Sequence, residues 1–413
     1  MHFLSIRQAL AALFVAVLVS ACGGGSSAPP PSAGISVTPG DGRATITWAM
    51  EPDVQYWVFS APVTPKFPVV TTTDWINTPG AQAFINVKSP FVVSSLYNGL
   101  AYSFTVNARK GDGPGGAGAP AVNVTPRPAG AQWAKGGDMG TNTLRAVTFG
   151  VSSADTLGYY LAMGDNGSAY KSTTGLTWTA VPSTTAAQIN SNAYVLSKYI
   201  GVGNAGAITY SSDLLTWAAG TSNTTQNLNS VSSNGAILVA VGDAGTIRTS
   251  TDGITWTAAT TVPTTQNLYA VTYSSNGFWI AVGAGGTLLV STDGTTWTTK
   301  VSNTTADLYA VAVQAAATYV FVAVGDAGTV VTSADNGTTW TPQASGITGN
   351  LRALTPTSSQ LLAVGTNGLI ATSVDGKVWV TVNSGTSADL YDVINGLSQY
   401  VAIGASGTNI NSQ

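Results

Sequence analysis

The chain has 413 residues, and Asp, Glu, Lys and Arg together make up only 8% of them, against about 25% in an ordinary soluble domain. The formal net charge is −3, which excludes the basic field that holds nucleic acid. Threonine, serine, asparagine and glycine replace the missing charges, a composition that fits an envelope or secreted all-β protein.

The first 22 residues read as a sorting signal (1–22). Arg7 supplies a positive start, and residues 9–19 form an apolar run too short for a comfortable membrane span. The run ends in Val19-Ser20-Ala21-Cys22, and Cys22 is the only cysteine, so no intramolecular disulfide can form. This segment resembles the lipobox of bacterial lipoproteins. The resemblance implies cleavage before Cys22, lipidation of Cys22, and, since Gly23 rather than an aspartate follows, an outer-membrane lipoprotein on the periplasmic or cell-surface side. Each methylene of such an anchor contributes about 0.8 kcal/mol when buried. Residues 23–33 are a Gly/Ser/Pro tether, flexible at first and stiffened by prolines at its end.

Residues 34–127 form a first unit. Alternation in Ala44-Thr45-Ile46-Thr47-Trp48 and in Tyr56-Trp57-Val58-Phe59 predicts half-buried strands. Leu96-Tyr97-Asn98-Gly99 supplies a turn, after which Tyr102, Phe104, Val106 and Ala108 share one face. These residues resemble the fibronectin type III family. The resemblance implies a β-sandwich with a tyrosine corner at Tyr102 and a core tryptophan at Trp48, used as a spacer or an adhesive unit. The Pro- and Thr-rich stretch 63–91 blurs the middle strands. Trp57 and Trp75 read as core or edge packing, with a surface patch as the alternative.

The remainder, 131–413, is repetitive. Trp133, Trp178, Trp217, Trp256, Trp297, Trp340 and Trp379 are spaced by 45, 39, 39, 41, 43 and 39 residues. Repeats of that length built from short strands predict a β-propeller with one four-stranded blade per repeat. Seven Gly-x-x-Gly turns recur, from Gly164/Gly167 to Gly404/Gly407. No helix follows them to bind phosphate, and positive φ in tight hairpins is the expected reason for the glycines. The seventh repeat stops after three strands, while Trp133 precedes the first repeat. Residues 131–136 are therefore expected to supply the missing strand and close a seven-bladed ring.

The element Ser-x-Asp-x-Gly-x-x-Trp occurs in full at Ser333, Asp335, Gly337 and Trp340. Asp252, Asp293 and Asp375 lie in versions one residue shorter, Asp213 lacks the glycine, and Thr174 replaces the aspartate in the first copy. These elements resemble the Asp-box, or BNR repeat, of sialidases. The expected role is structural: the carboxylate accepts N–H groups across its hairpin, and the indole packs beside it. The family places its boxes on the face away from the active site.

The chemistry available to the propeller is narrow. The sole histidine is His2 and the sole glutamate is Glu51. This removes Ser-His-Asp and Cys-His catalysis, histidine metal sites and glutamate acid catalysis. No cofactor and no metal are expected. Asp138, Asp155, Asp165, Asp243, Asp307, Asp326, Asp389 and Asp392 remain outside the boxes. A pair of them across the ring is the one arrangement open to glycoside hydrolysis. Asp165, Asp243 and Asp326 share one turn position, which reads as turn chemistry. Arg145, Arg248 and Arg352 match the arginine count of a sialidase triad, but Arg248 falls on a third strand.

A better candidate stands at the head of each first strand: Arg145, Asn190, Asn229, Tyr269, Tyr309, Arg352 and Tyr391. These side chains would ring the mouth of the central channel, with the chemistry of binding hot spots. Plugging the channel is the alternative. The repeated Leu-x-Ala-Val, Ala-Val-Gly-x-x-Gly-Thr-Ile and Ser-x-Asp-Gly-x-Thr-Trp segments resemble the BNR/YVTN-like propellers, most closely the photosystem II assembly (stability) factor family. That family is non-enzymatic and holds partner proteins through an arginine-rich patch. The expectation is therefore a monomeric, lipid-anchored binding or assembly protein for a protein or glycan of the envelope. It would meet the membrane through its anchor only. The rival reading is a carbohydrate-binding or sialidase-like propeller.

Overall fold

The computed structural model describes residues 34–40, 42–64, 78–111, 118–128, 130–151, 158–183, 185–315, 319–357, 360–396 and 399–412. The signal, Cys22, the tether, Trp75 and Asp155 lie outside the described residues. The chain divides into two units, 1–129 and 130–413, and among the described residues no helix is long and apolar enough to cross a membrane.

In the first unit, β1 (Ile35–Gly40), β2 (Arg43–Trp48) and β5 (Phe91–Val93) form one antiparallel sheet. The second sheet has the order β4 (Gln82–Val87), β3 (Val54–Pro62), β6 (Tyr102–Lys110) and β7 (Val122–Val124). Both sheets feed one core, because Ile46 and Trp48 come from the first, and Tyr56, Val58, Phe104 and Val106 from the second. The Tyr102 hydroxyl accepts the Tyr97 N–H at 3.1 Å, fixing the corner that leads into β6. Trp57 is buried, which leaves no aromatic surface patch there.

The second unit is all-β, with seven four-stranded antiparallel sheets among its described residues. In chain order they span 144–180, 189–219, 228–258, 268–299, 308–343, 351–382 and 390–412, and are numbered sheets 1 to 7. Sheet 4 shows the pattern: Leu268–Ser274, Phe278–Gly283, Leu288–Ser291 and Thr298–Thr299. Sheet 7 takes its fourth strand from β8 (Trp133–Lys135), which pairs with Ile410–Ser412. The first strand of every sheet packs on the first strand of the next, and that of sheet 7 returns to that of sheet 1. This circular order is the arrangement of a β-propeller.

Apolar side chains between neighbouring sheets hold the circle together. Ile280, Leu288 and Val290 of sheet 4 meet Leu308, Phe321, Val331 and Trp340 of sheet 5. Each such side chain contributes about 1.5–3 kcal/mol when buried. Second strands such as Phe278–Gly283 are covered on both faces, hence their continuous apolar sequence.

The turn glycines have two physical causes. The second glycine of each turn has positive φ, as at Gly245 (68°). The first does not: Gly242 is extended, with φ −165°. A Cβ on Gly242 would collide with the Asn227 carbonyl oxygen, and the same approach recurs at the first glycine of the other turns. Positive φ is thus the wrong reason for half of the pattern. There the reason is close backbone approach.

Candidate functional site

Each first strand begins with a β-bulge at its second residue in all seven sheets, as between Leu268 and Ala270. A bulge re-aims the side chain it carries. The seven residues Arg145, Asn190, Asn229, Tyr269, Tyr309, Arg352 and Tyr391 occupy this position, and all are half-buried.

The structure brings the seven into one continuous ring. Tyr269 and Tyr309 stand 5.3 Å apart between centroids. The Arg352 guanidinium lies 5.5 Å from the Tyr309 centroid and 5.3 Å from that of Tyr391. Arg145 approaches Tyr391 at 5.2 Å. Such cation–π contacts contribute about 0.5–2 kcal/mol each. The Gln188 amide lies between Asp165 and Asn190, and its Nε2 donates to Asn190 Oδ1 at 2.6 Å. Asn190 Nδ2 then donates to the Leu228 carbonyl at 3.0 Å, and Asn229 Nδ2 to the Leu268 carbonyl at 3.0 Å. That carbonyl belongs to the residue before Tyr269, so the circuit closes.

The adjacent turns hold the ring from behind. Arg145 Nε donates to Asp165 at 2.6 Å, Asn190 to Asn204 at 2.9 Å, and Asn229 to Asp243 at 2.9 Å. The Tyr269 hydroxyl reaches Asp307 at 3.4 Å. Burial, then the Asp326 carboxylate that Tyr309 bonds, pushes the Tyr309 phenol up to about 12. Burial and Asp307 likewise raise Tyr269. Both phenols therefore stay neutral donors at physiological pH. In the sequence Asp165, Asp243 and Asp326 recur at one offset and read only as turn chemistry. Strand pairing places that offset directly behind the bulge.

A second recurrent contact ties neighbouring sheets on the same face. In sheets 3 to 7 the residue before the first strand accepts an N–H from the preceding sheet's turn: Ala205 to Asn227 (2.9 Å), Ala244 to Asn267 (2.9 Å), Gly285 to Asp307 (2.8 Å), Ala327 to Asn350 (2.9 Å) and Asn367 to Asp389 (2.9 Å). Asp307 and Asp389 are thus committed to inter-sheet bonds. Asp138 accepts the Gly140 N–H at 2.9 Å, and Asp392 accepts those of Val147 and Val393. Arg248 sits on the third strand of sheet 3, opposite Ala240 and Ala258, so it does not join Arg145 and Arg352.

The boxes occupy the other end of the sheets. In sheet 4 the ring end is marked by the pair Leu268 and Gly283, and the box end by Trp279 and Ser291. Asp293 accepts the Thr295 and Thr296 N–H groups at 2.8 and 2.7 Å, and Asp213, Asp252 and Asp375 repeat the pair of bonds. Asp335 accepts from Thr339, whose hydroxyl and N–H hold its carboxyl down at about 2. Indole Nε1 donates to the box glycine at Trp297, Trp340 and Trp379. Trp256, Trp297, Trp340 and Trp379 are buried, whereas Trp178 and Trp217, in the two incomplete boxes, are only half-buried. No group of three or more His, Cys, Asp or Glu side chains gathers to hold a metal among the described residues.

Fold and site together define a β-propeller with a polar and aromatic ring at one end of its sheets. A family described as the DUF6242 beta propeller domain matches residues 211–342. A comparison with curated proteins finds no match. Among solved structures the chain is similar to YCF48 from Cyanidioschyzon merolae, with 18% identity, 68% of this chain and 99% of that chain covered, and a TM-score of 0.55. It is similar to YCF48 bound to D1 peptide, with 16% identity, 68% and 96% covered, and a TM-score of 0.54. It also resembles virginiamycin B lyase from Staphylococcus aureus, with 13% identity, 68% and 98% covered, and a TM-score of 0.58. At these identities the likenesses establish the β-propeller fold.

Proposed function

We propose that this protein is a non-enzymatic, lipid-anchored binding or assembly protein of the cell envelope. In this reading Cys22 carries the anchor and the first unit is a fibronectin type III-like spacer. The second unit is a seven-bladed propeller whose ring holds a peptide segment of a partner protein. The observation that carries the reading is the ring itself. Three tyrosines, two arginines and two asparagines form one connected, half-exposed surface, with residue types enriched at binding hot spots. One protein of similar fold was solved bound to a peptide.

The enzymatic alternative has little to work with. The virginiamycin B lyase variant solved with quinupristin is catalytically inactive after loss of one histidine, and residues 130–413 here contain no histidine, cysteine or glutamate. A sialidase-like site lacks a third arginine beside Arg145 and Arg352. Two parallel screens of the full chain in detergent separate a peptide binder from a lectin. We expect enrichment from a displayed library of 12-residue peptides and no signal on a glycan array. Glycan binding without peptide enrichment would overturn the reading.

A further inference from the structure

The ring position differs among sheets in what stands behind it. Where the first residue of the sheet's own turn is an aspartate or asparagine, the ring residue takes it: Asp165 for Arg145, Asn204 for Asn190, Asp243 for Asn229 and Asp326 for Tyr309. In sheet 4 the turn is Ala284-Gly285-Gly286. Ala284 has nothing to offer, and Gly285 is the one middle turn residue without a side chain. Its counterparts are Asn166, Ala205, Ala244, Ala327, Asn367 and Ser406.

A cleft of about 750 Å³ lies beside this turn, floored by Gly285 and Gly286, a volume typical of ligand sites. Its walls are the loops on either side of sheet 4, including Thr264, Ser302, Thr304 and Thr305. A Cβ on Gly285 would meet nothing within 4 Å. Asp307 joins the cleft to the ring, because one carboxylate oxygen takes the Gly285 N–H and the other the Tyr269 hydroxyl.

We infer that a partner's chain held at Tyr269 continues outward along this cleft, so that sheet 4 forms the outer part of the binding site. The inference rests on the proposed peptide-binding role of the ring. The lining decides the chemistry of the occupant. It combines hydroxyls and main chain with Pro263, Leu288, Val301 and a single charged residue, Lys300, which suits an extended, uncharged segment. No aromatic ring lines it, so a sugar has no face to stack on.

The test uses 12-residue peptides selected on the full chain, together with the six-residue cores that still bind. The variant is Gly285→Asn with Thr305→Trp. Asn166 and Asn367 occupy the equivalent turn position with φ 55°, and Thr305 is exposed, so the fold accommodates both changes and melting should be unchanged. The 12-residue peptides should lose tenfold or more in affinity while the cores bind as before. Undiminished binding of the longer peptides overturns the outer site and leaves the ring intact. Failure of the unaltered protein to bind any peptide overturns the ring reading itself. Competition for the cleft by an oligosaccharide would make the occupant a glycan and overturn the inference.

Discussion

Arg352 and Arg145 share the ring of Tyr391, approaching its centroid at 5.3 and 5.2 Å. Two like charges tolerate this because Asp165 pairs with Arg145 at 2.6 Å, and because an aromatic ring attracts a cation over its face. Arg352 Nε is buried without a hydrogen-bond partner. Its planar guanidinium is held by two tyrosines, a geometry that lysine cannot reproduce. Arg352→Lys should therefore weaken peptide binding about as much as Arg352→Ala, roughly tenfold, for a contact of about 1–2 kcal/mol. Calorimetric titration of both variants checks this. Full binding by the lysine variant would show that charge alone matters.

The seam between sheets 7 and 1 is expected to respond to pH. Asp392 Oδ2 accepts the Val147 N–H across it at 2.8 Å. Ser191 and Ser230 take the equivalent N–H groups of Val231 and Val271 at 3.2 Å with a neutral hydroxyl. Burial pushes the Asp392 carboxyl up to about 7, against the two N–H bonds that it accepts. A raised folded pKa means that the folded state binds the proton more tightly. The stability this contributes is complete below about pH 4 and is lost as pH rises through about 7. Asp392→Ser should raise the melting temperature at pH 8 and flatten its dependence between pH 4 and 8. An unchanged pH profile in the variant would remove Asp392 as the cause.

Sheet 1 carries an incomplete box, in which the Thr174 hydroxyl accepts only the Leu176 N–H, at 3.2 Å. Thr174→Asp would offer a carboxylate to two N–H groups, as Asp252 does. We expect a gain of about 1 kcal/mol, or roughly 2–4 °C in melting temperature. The box aspartates have lowered pKa values, so the sign is the reverse of that for Asp392. The gain is present above about pH 4 and disappears as pH falls toward about 2. Differential scanning calorimetry at pH 7 and pH 2.5 reads both parts.

Closure of the circle depends on a strand from the wrong end of the unit. Trp133–Lys135 pairs with Ile410–Ser412, and Trp133 Nε1 donates to the Gly130 carbonyl at 2.8 Å. Deleting residues 131–136 exposes that edge and should lower the melting temperature by several degrees. An unaltered melting curve would show that the strand is not part of the closure energy.

Much of this was legible in the sequence because the repeat forces it to be. The tryptophan interval located the sheets, and the count of turns against boxes located the shared strand at Trp133. The heads of the first strands identified all seven ring residues. Three matters were not legible. Pairwise order in the ring depends on how a bulge aims Tyr391 between two arginines, and spacing carries no such direction. Gly242 looked like a positive-φ glycine, because one letter serves both conformational freedom and close backbone approach. The cleft over Gly285 depends on how the loops on either side of sheet 4 stand apart, which spacing along the chain does not carry.

The central claim is that the ring binds rather than plugs. It is tested by titrating a selected peptide into the unaltered protein and into Tyr269→Ala with Tyr309→Ala, with melting followed in parallel. Both tyrosines are half-buried at the ring and lie outside the clusters of buried side chains between sheets. The account predicts a loss of at least a hundredfold in affinity, about 2.7 kcal/mol, with the fold retained. Equal affinity in the double variant would contradict it and leave the seven residues as a plug.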